Sequence, residues 1–139
     1  MNNPFSMEGR RILVTGAAQG IGREVARLSV QMGGKVAAID LNGDGLKSLK
    51  EELGDAAIVE VGSVTDQSVT DGVLAKMISA WGGCDGLFNN AGIVRAAMIH
   101  KMERQQWDDV INVNLTGVYL TLQSVGKHMR ERAESPEAG

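Results

Sequence analysis

The chain is short of several things, and each shortage removes a class of function. A single cysteine, Cys84, excludes an internal disulfide, and the only two histidines, His100 and His128, lie far from it. That leaves no thiolate and imidazole set of the kind that holds zinc, and it suits a reducing compartment, so a cytoplasmic location is expected. Two prolines in 139 residues give no stiffened linker between separate units. Aromatic residues are few, at 4%, yet 43% hydrophobic and 22% charged residues are ordinary globular values. No segment approaches the roughly 18 uninterrupted apolar residues of a membrane span. Met1 to Gly9 hold Asn, Pro, Ser and Glu without an apolar run, so no signal peptide is read there. A net charge of -3 supplies no broad positive field, and neither nucleic acid nor an anionic membrane is a favoured partner.

What the chain has in quantity is glycine, 18 copies, which suits many tight turns between strands and helices. The length fits one domain over residues 1–139, with a polar tail over 132–139 expected to fray. The organising stretch is Arg11 to Glu24. A strand-like run, Ile12-Leu13-Val14, feeds glycines spaced G-x-x-x-G-x-G at Gly16, Gly20 and Gly22, and these open a helix. A strand end, a tight turn and a helix N-terminus with its partial positive charge are what a dinucleotide pyrophosphate needs. The plain alternative is that these glycines only end elements and fill turns. Asp40 argues against it, because it closes the next strand 18 residues after Gly22, near the spacing of the carboxylate that receives adenosine ribose hydroxyls. The plain alternative for Asp40 is a turn-forming residue.

Short apolar runs alternate with helical periodicity along the rest of the chain. After the glycines, Ile21, Val25, Leu28 and Met32 form one predicted core face, ended by Gly33-Gly34. A second strand runs over Lys35 to Asp40, then a short helix carries Leu46, Leu49 and Leu53. A third strand spans Ala56 to Val61, and a helix capped by Ser63 or Thr65, with Asp66 as a helix-start residue, runs to about Trp81. Asp85 to Asn89 is the fourth strand. A loop from Ile93 to Glu103 precedes the longest helical pattern, about Arg104 to Glu131. Its main apolar line is Ile111, Leu115, Val118, Leu122, Val125 and Met129, and Val113 and Leu120 with Gly117 form a second. Two apolar faces on one helix predict packing on its own sheet and on a second body. The fold class is therefore α/β: a partial doubly wound, Rossmann-type parallel sheet of about four strands in order 3-2-1-4, flanked by helices.

Three motifs in order, Thr15-Gly16-x-x-x-Gly20-x-Gly22, Asn89-Asn90-Ala91-Gly92 and Asn112-Val113-Asn114-Leu115-Thr116-Gly117, resemble the N-terminal part of a classical short-chain dehydrogenase/reductase. The resemblance runs from about Gly9 to about Met129. From Asn89 onward it is most similar to bacterial 3-oxoacyl-acyl-carrier-protein reductase-like members. It implies NAD(P)-dependent hydride transfer between a nicotinamide cofactor and an alcohol or ketone, of 3-oxoacyl type in those members. By position it implies that Gly16, Gly20 and Gly22 line the pyrophosphate, with contacts from Gln19 and Ile21. Asp40 would hold the adenine ribose, and its charge would repel a 2′-phosphate, so NAD rather than NADP is expected. Asn90, Ala91 and Gly92 would line the adenosine side of the cleft, with Ser63 and Val64 at the adenine. Ser63 stands where the family often has an acidic residue, and a hydroxyl accepts more weakly. Asn114 matches an asparagine at a helix distortion that belongs to a proton relay; its plain alternative is an Asn capping a local kink.

The family also uses a Tyr and a Lys four residues later, together with a serine. The only tyrosine here is Tyr119, position 123 is Gln, and Lys127 lies eight residues on, roughly 12 Å along a helix axis. Tyr119 is thus expected to be a packing residue. The fifth strand and everything after it in the family fold have no counterpart in this sequence. Two readings stand: a truncated short-chain dehydrogenase inactive alone, or a non-catalytic NAD-binding module or partner subunit. The expected partners are a small-molecule dinucleotide and, through the 104–131 helix, a second copy or a complementing chain.

Overall fold

The computed structural model describes residues 3–135. Four strands, β1 (Arg11–Thr15), β2 (Lys35–Asp40), β3 (Ala57–Val61) and β4 (Gly86–Phe88), form one parallel sheet in the order β3-β2-β1-β4. The helices are α1 (Gly20–Gln31), α2 (Gly43–Leu53), α3 (Gln67–Trp81), α4 (Arg104–Ile111) and α5 (Gly117–Ala133). A π-helical turn, Asn112–Thr116, joins α4 to α5, so the long helical pattern is one element with a local distortion. The predicted strand order is the observed one.

Strand residues alternate between two cores, as the two-residue period of a strand requires. Val14, Val36 and Ala38 meet Ala26 of α1 and Leu46 and Leu49 of α2 on one face. Leu13, Ala37 and Ile39 meet Val73, Leu74 and Met77 of α3 and Val125 of α5 on the other. The helices stop and start on chemistry visible in the sequence. Asn42 caps α2 by accepting from Gly45 N, and Gly82 ends α3 in the left-handed conformation. The cap of α3 is Asp66, accepting from Ser68 N, rather than Ser63 or Thr65.

Two helices turn a different face to the sheet from the one their apolar periodicity suggests. In α1 the buried residues are Gly22, Ala26 and Ser29, while Ile21 is 72% exposed and Leu28 and Met32 are also exposed. In α5 the buried residues are Gly117, Thr121, Ser124 and Val125, while Ile111 of α4, Leu115 of the π turn and Leu122 are exposed. Of the main apolar line Val125 is buried and Met129 packs beside it, while Val113 and Gly117 of the second line also turn inward. At the start of α5 the approach is close: a Cβ on Gly117 would stand 2.7 Å from Val64 Cγ2, in the loop after β3, so a small residue is required there. Tyr119, expected to pack, is exposed, and its hydroxyl accepts from Gln123 Nε2 at 2.9 Å.

The amino ends of the strands are fastened by charge. Asp85, just before β4, accepts from Arg11 at its backbone N (2.9 Å), Nε (2.7 Å) and Nη2 (2.8 Å), and from Arg132 Nη1 at 2.7 Å. Arg11 Nη1 also donates to Trp81 O at 2.7 Å. The helix continues to Ala133, and Arg132, the first residue of the tail expected to fray, is paired with Asp85. Residues 136–139 of that expected tail lie outside the described residues.

Candidate functional site

A cleft of about 390 Å³ opens at the opposite end of the sheet, where the strands deliver their carboxyl ends. Between β1 and β4 the chain leaves the sheet in two directions, toward α1 on one face and toward α4 and α5 on the other. In an open parallel sheet that divergence leaves a crevice. Gly16, Gln19, Gly20, Asp40, Ser63, Val64, Asn90, Ala91 and Gly92 all line it, together with Ile39, Leu41, Gly62, Ile93 and Val113. The sequence reading singled out the first nine and missed the last five, which are apolar or glycine residues without a motif of their own.

Each glycine of the turn answers a different constraint. Gly16 has φ +68°, and a Cβ there would lie 2.9 Å from Ala91 Cα. Gly22 is helical, but its Cβ would lie 2.2 Å from the Gly16 carbonyl oxygen, so it is a packing glycine behind the loop. Gly20 has φ +60° and nothing within 4 Å of where a Cβ would stand, so it presents open backbone to the cleft. Gln19 makes no side-chain cap on α1, and no acidic residue occupies its first turn. A helix N-terminus without a capping carboxylate, behind a backbone no side chain obstructs, fits a phosphate-bearing ligand. Ile21 and Gly22 are not among the cleft-lining residues: Ile21 faces out from the first turn of α1, and Gly22 supports the loop from behind.

The floor of the cleft is pinned by Thr15, a fully buried residue quoted in the motif but assigned no role from sequence. Its hydroxyl accepts from both Asn90 N and Ala91 N at 3.0 Å. Asn90 Nδ2 returns the contact, donating to Thr15 O at 3.2 Å and Gly16 O at 3.3 Å. A hydroxyl in the last position of a strand beside a parallel neighbour was the available signal.

Asp40 ends β2 with its carboxylate already oriented: Oδ2 accepts from Ala18 N at 3.0 Å and Oδ1 from Asn42 N at 2.9 Å. A carboxylate has about four acceptor positions, so both oxygens retain capacity for a ligand hydroxyl. Ser63 is more committed. Its hydroxyl lies 2.6 Å from Thr65 Oγ1 and accepts from Thr65 N at 3.1 Å, which leaves less for a nucleobase.

Asn114 sits inside the π turn and clamps one residue of the cleft wall. Its Oδ1 accepts from Ile93 N at 2.8 Å and its Nδ2 donates to Ile93 O at 3.0 Å. The helix distortion implied by the resemblance is therefore present at Asn112–Thr116, and π turns recur at functional sites. Among the described residues no group of three or more His, Cys, Asp or Glu could hold a metal ion, and no helix is long and apolar enough to cross a membrane.

The family model described as short chain dehydrogenase matches residues 10–135. A 3-oxoacyl-[acyl-carrier-protein] reductase of Thermotoga maritima is 42% identical over 126 residues, covering 88% of this chain and 51% of that protein. A D-threitol dehydrogenase of Mycolicibacterium smegmatis is 37% identical over 134 residues, covering 91% and 50%. The crystal structure of a 3-ketoacyl-(acyl-carrier-protein) reductase from Brucella melitensis complexed with NADH superimposes with a TM-score of 0.87 at 31% identity, covering 92% of this chain and 53% of that one. The chain spans about half the length of the curated relatives it matches.

Proposed function

The chain belongs to the short-chain dehydrogenase family, and from that premise we propose that its cleft binds NAD in the service of hydride transfer between the nicotinamide and an alcohol or ketone. The observation that carries this reading is the cleft itself: a glycine turn with open backbone at Gly20, an uncapped helix N-terminus, and the Asp40 carboxylate held beside the turn by Ala18 N. Gly16, Gln19, Gly20 and the first turn of α1, with Ile21, would hold the pyrophosphate, and Gly22 would hold the loop in place. Asp40 would receive the adenosine ribose hydroxyls, Ser63 and Val64 would meet the adenine, and Asn90, Ala91 and Gly92 would form the adenosine wall. The nicotinamide, when bound, supplies the hydride donor or acceptor.

These 139 residues contain no Tyr-x-x-x-Lys pair to move the accompanying proton. The proposed role of this chain is therefore cofactor binding, and Asn114 would join a proton relay only with further residues from elsewhere. The substrate class, 3-oxoacyl or polyol, is the kind of difference the two relatives above display in their names.

A second reading, a non-catalytic NAD-binding subunit completed by another chain, is favoured by one observation. Trp107, Leu115, Tyr119 and Leu122 lie exposed along α4 and α5, and β4 is an edge strand, so an apolar face and a row of backbone groups are open to a partner. Both readings place NAD in the same cleft.

Asp40 supplies the test. A 2′-phosphate would bring like charge against its carboxylate, so NAD+ is expected to bind at least about tenfold more tightly than NADP+. Asp40→Ala removes charge-assisted hydrogen bonds of about 1.5–3 kcal/mol, so NAD+ affinity is expected to fall about 10- to 100-fold and the preference to disappear. Calorimetric titration reads both quantities. Equal binding of the two cofactors by the wild-type chain, or an unchanged NAD+ affinity in Asp40→Ala, would overturn the assignment.

A further inference from the structure

Arg23 follows directly on the last glycine of the turn and points away from the cleft, into the seam between α1 and α2. Its Nη1 donates to Ala18 O and to Gly45 O, each at 3.2 Å. Its Nη2 donates to Ser48 Oγ at 3.1 Å and to Glu52 Oε2 at 2.9 Å. Glu52 is itself fixed from the other side by Arg27 Nε. The guanidinium thus joins two carbonyls from different segments, the glycine loop and the first turn of α2, and is locked in plane by α2.

The consequence appears when the contacts are followed around. Ala18, whose carbonyl Arg23 holds, donates its N–H to Asp40 Oδ2. Asp40 Oδ1 accepts from Asn42 N, Asn42 Oδ1 accepts from Gly45 N at 3.0 Å, and Gly45 O returns to Arg23. The hydrogen bonds close a ring, Arg23 to Ala18 to Asp40 to Asn42 to Gly45 and back, in which Asp40 faces the cleft and Arg23 stands behind it. The ring has no slack on its inner side: a Cβ on Gly45 would lie 2.8 Å from Ala18 Cβ. Ala18 is 4% exposed, so its carbonyl has little access to water if the guanidinium is removed.

We infer that Arg23 is a positioning residue for the ribose-binding carboxylate, holding Ala18 and Gly45 so that Asp40 meets the ribose 2′-hydroxyl in a fixed orientation. This rests on the reading of Asp40 as the ribose acceptor. A plain surface ion pair between Arg23 and Glu52 would leave ribose recognition alone. A positioning role makes it depend on Arg23, and a lysine, with one ammonium in place of a planar fork, has no second nitrogen for Ser48 and Glu52 to hold while the first meets the two carbonyls.

The experiment is a pair of titrations followed by NMR shifts, with AMP and 2′-deoxy-AMP as probes of the adenosine end, well below the melting temperature of each protein. The wild-type chain is expected to prefer AMP by about tenfold, the worth of one charge-assisted hydrogen bond. In Arg23→Ala the preference is expected to fall to about twofold or less, because AMP binds more weakly while 2′-deoxy-AMP is little affected. Arg23→Lys, which keeps the charge and most of the stem, is expected to lose preference in the same way, and it carries the comparison if the alanine variant does not fold. A folded Arg23 variant with the wild-type preference would overturn the role of Arg23 alone. A wild-type chain that binds neither probe, or binds both equally, would overturn the ribose reading of Asp40 and this inference with it.

Discussion

Gly22→Ala is expected to lose NAD+ binding and to destabilise the chain. Two effects oppose each other at this position. Gly22 is in a helix and its φ is not in the left-handed region, so alanine would gain about 1 kcal/mol in helix propensity. Against that, the new methyl would stand 2.2 Å from Gly16 O and 2.6 Å from Asn90 Nδ2, well inside contact distance. The obstacle is backbone and cannot rotate aside, so the turn must retreat from α1. Overpacking typically costs about 1–3 kcal/mol and more where backbone must move. The clash wins, with a net loss of roughly 2–3 kcal/mol in chemical denaturation. Displacing Gly16 also disturbs its contact with Asn90, so NAD+ affinity is expected to fall by at least about a hundredfold, equivalent to two lost hydrogen bonds. The same exchange at Gly72, in α3 with nothing within 4 Å of its would-be Cβ, is expected to stabilise by about 1 kcal/mol. A Gly22→Ala protein as stable as the wild type and able to bind NAD+ would refute the close approach.

Asp85→Ala is expected to cost about 3 kcal/mol while leaving the cleft intact. The carboxylate is 12% exposed and Arg11 16%, so removing one partner leaves a largely buried guanidinium without its counter-charge. For a domain stabilised by about 5–15 kcal/mol this is a large share, and the melting temperature is expected to drop by about 10 °C. Hydrogen bonds from Arg11 foremost, and from Arg132, hold the Asp85 carboxyl well below the usual carboxylate range, against the opposing effect of burial. The sign of the linkage follows. The unfolded chain takes up this proton first, so the stabilisation is complete above about pH 4 and is lost as pH falls toward the depressed folded value. Between pH 4 and pH 2 the wild type is expected to lose up to about 1.4 kcal/mol per pH unit more than Asp85→Asn. Because the clamp and the cleft lie at opposite ends of the sheet, NAD+ affinity measured on folded Asp85→Ala should match the wild type. Parallel pH profiles for wild type and Asp85→Asn would contradict the clamp.

The strands and turns were legible because local chemistry decides them. Asp40 closes β2, Gly54 and Gly82 end their helices, and the strand order followed from the doubly wound arrangement of alternating strands and helices. The packed faces of α1 and α5 were legible only in part, at Val25, Val125 and Met129, because apolar periodicity marks where large hydrophobic side chains recur. Gly22 and Ala26 of α1, and Gly117 and Thr121 on the same side as Val125 of α5, are buried small residues on these inner faces, and their value is close approach, a property of the neighbour as much as of the residue. The same limit hid Thr15 and Arg23. Their partners are backbone groups of segments up to 76 residues away, and a sequence pattern carries no record of which carbonyl or N–H a side chain will find. The glycine spacing and the carboxylate, by contrast, are written locally and stand around one cleft.

The most direct measurement is a calorimetric titration of the purified 139-residue chain with NAD+, preceded by a thermal melt that establishes cooperative folding. The account predicts saturable binding with one site per chain. A chain that melts cooperatively yet shows no binding at millimolar NAD+ would contradict it.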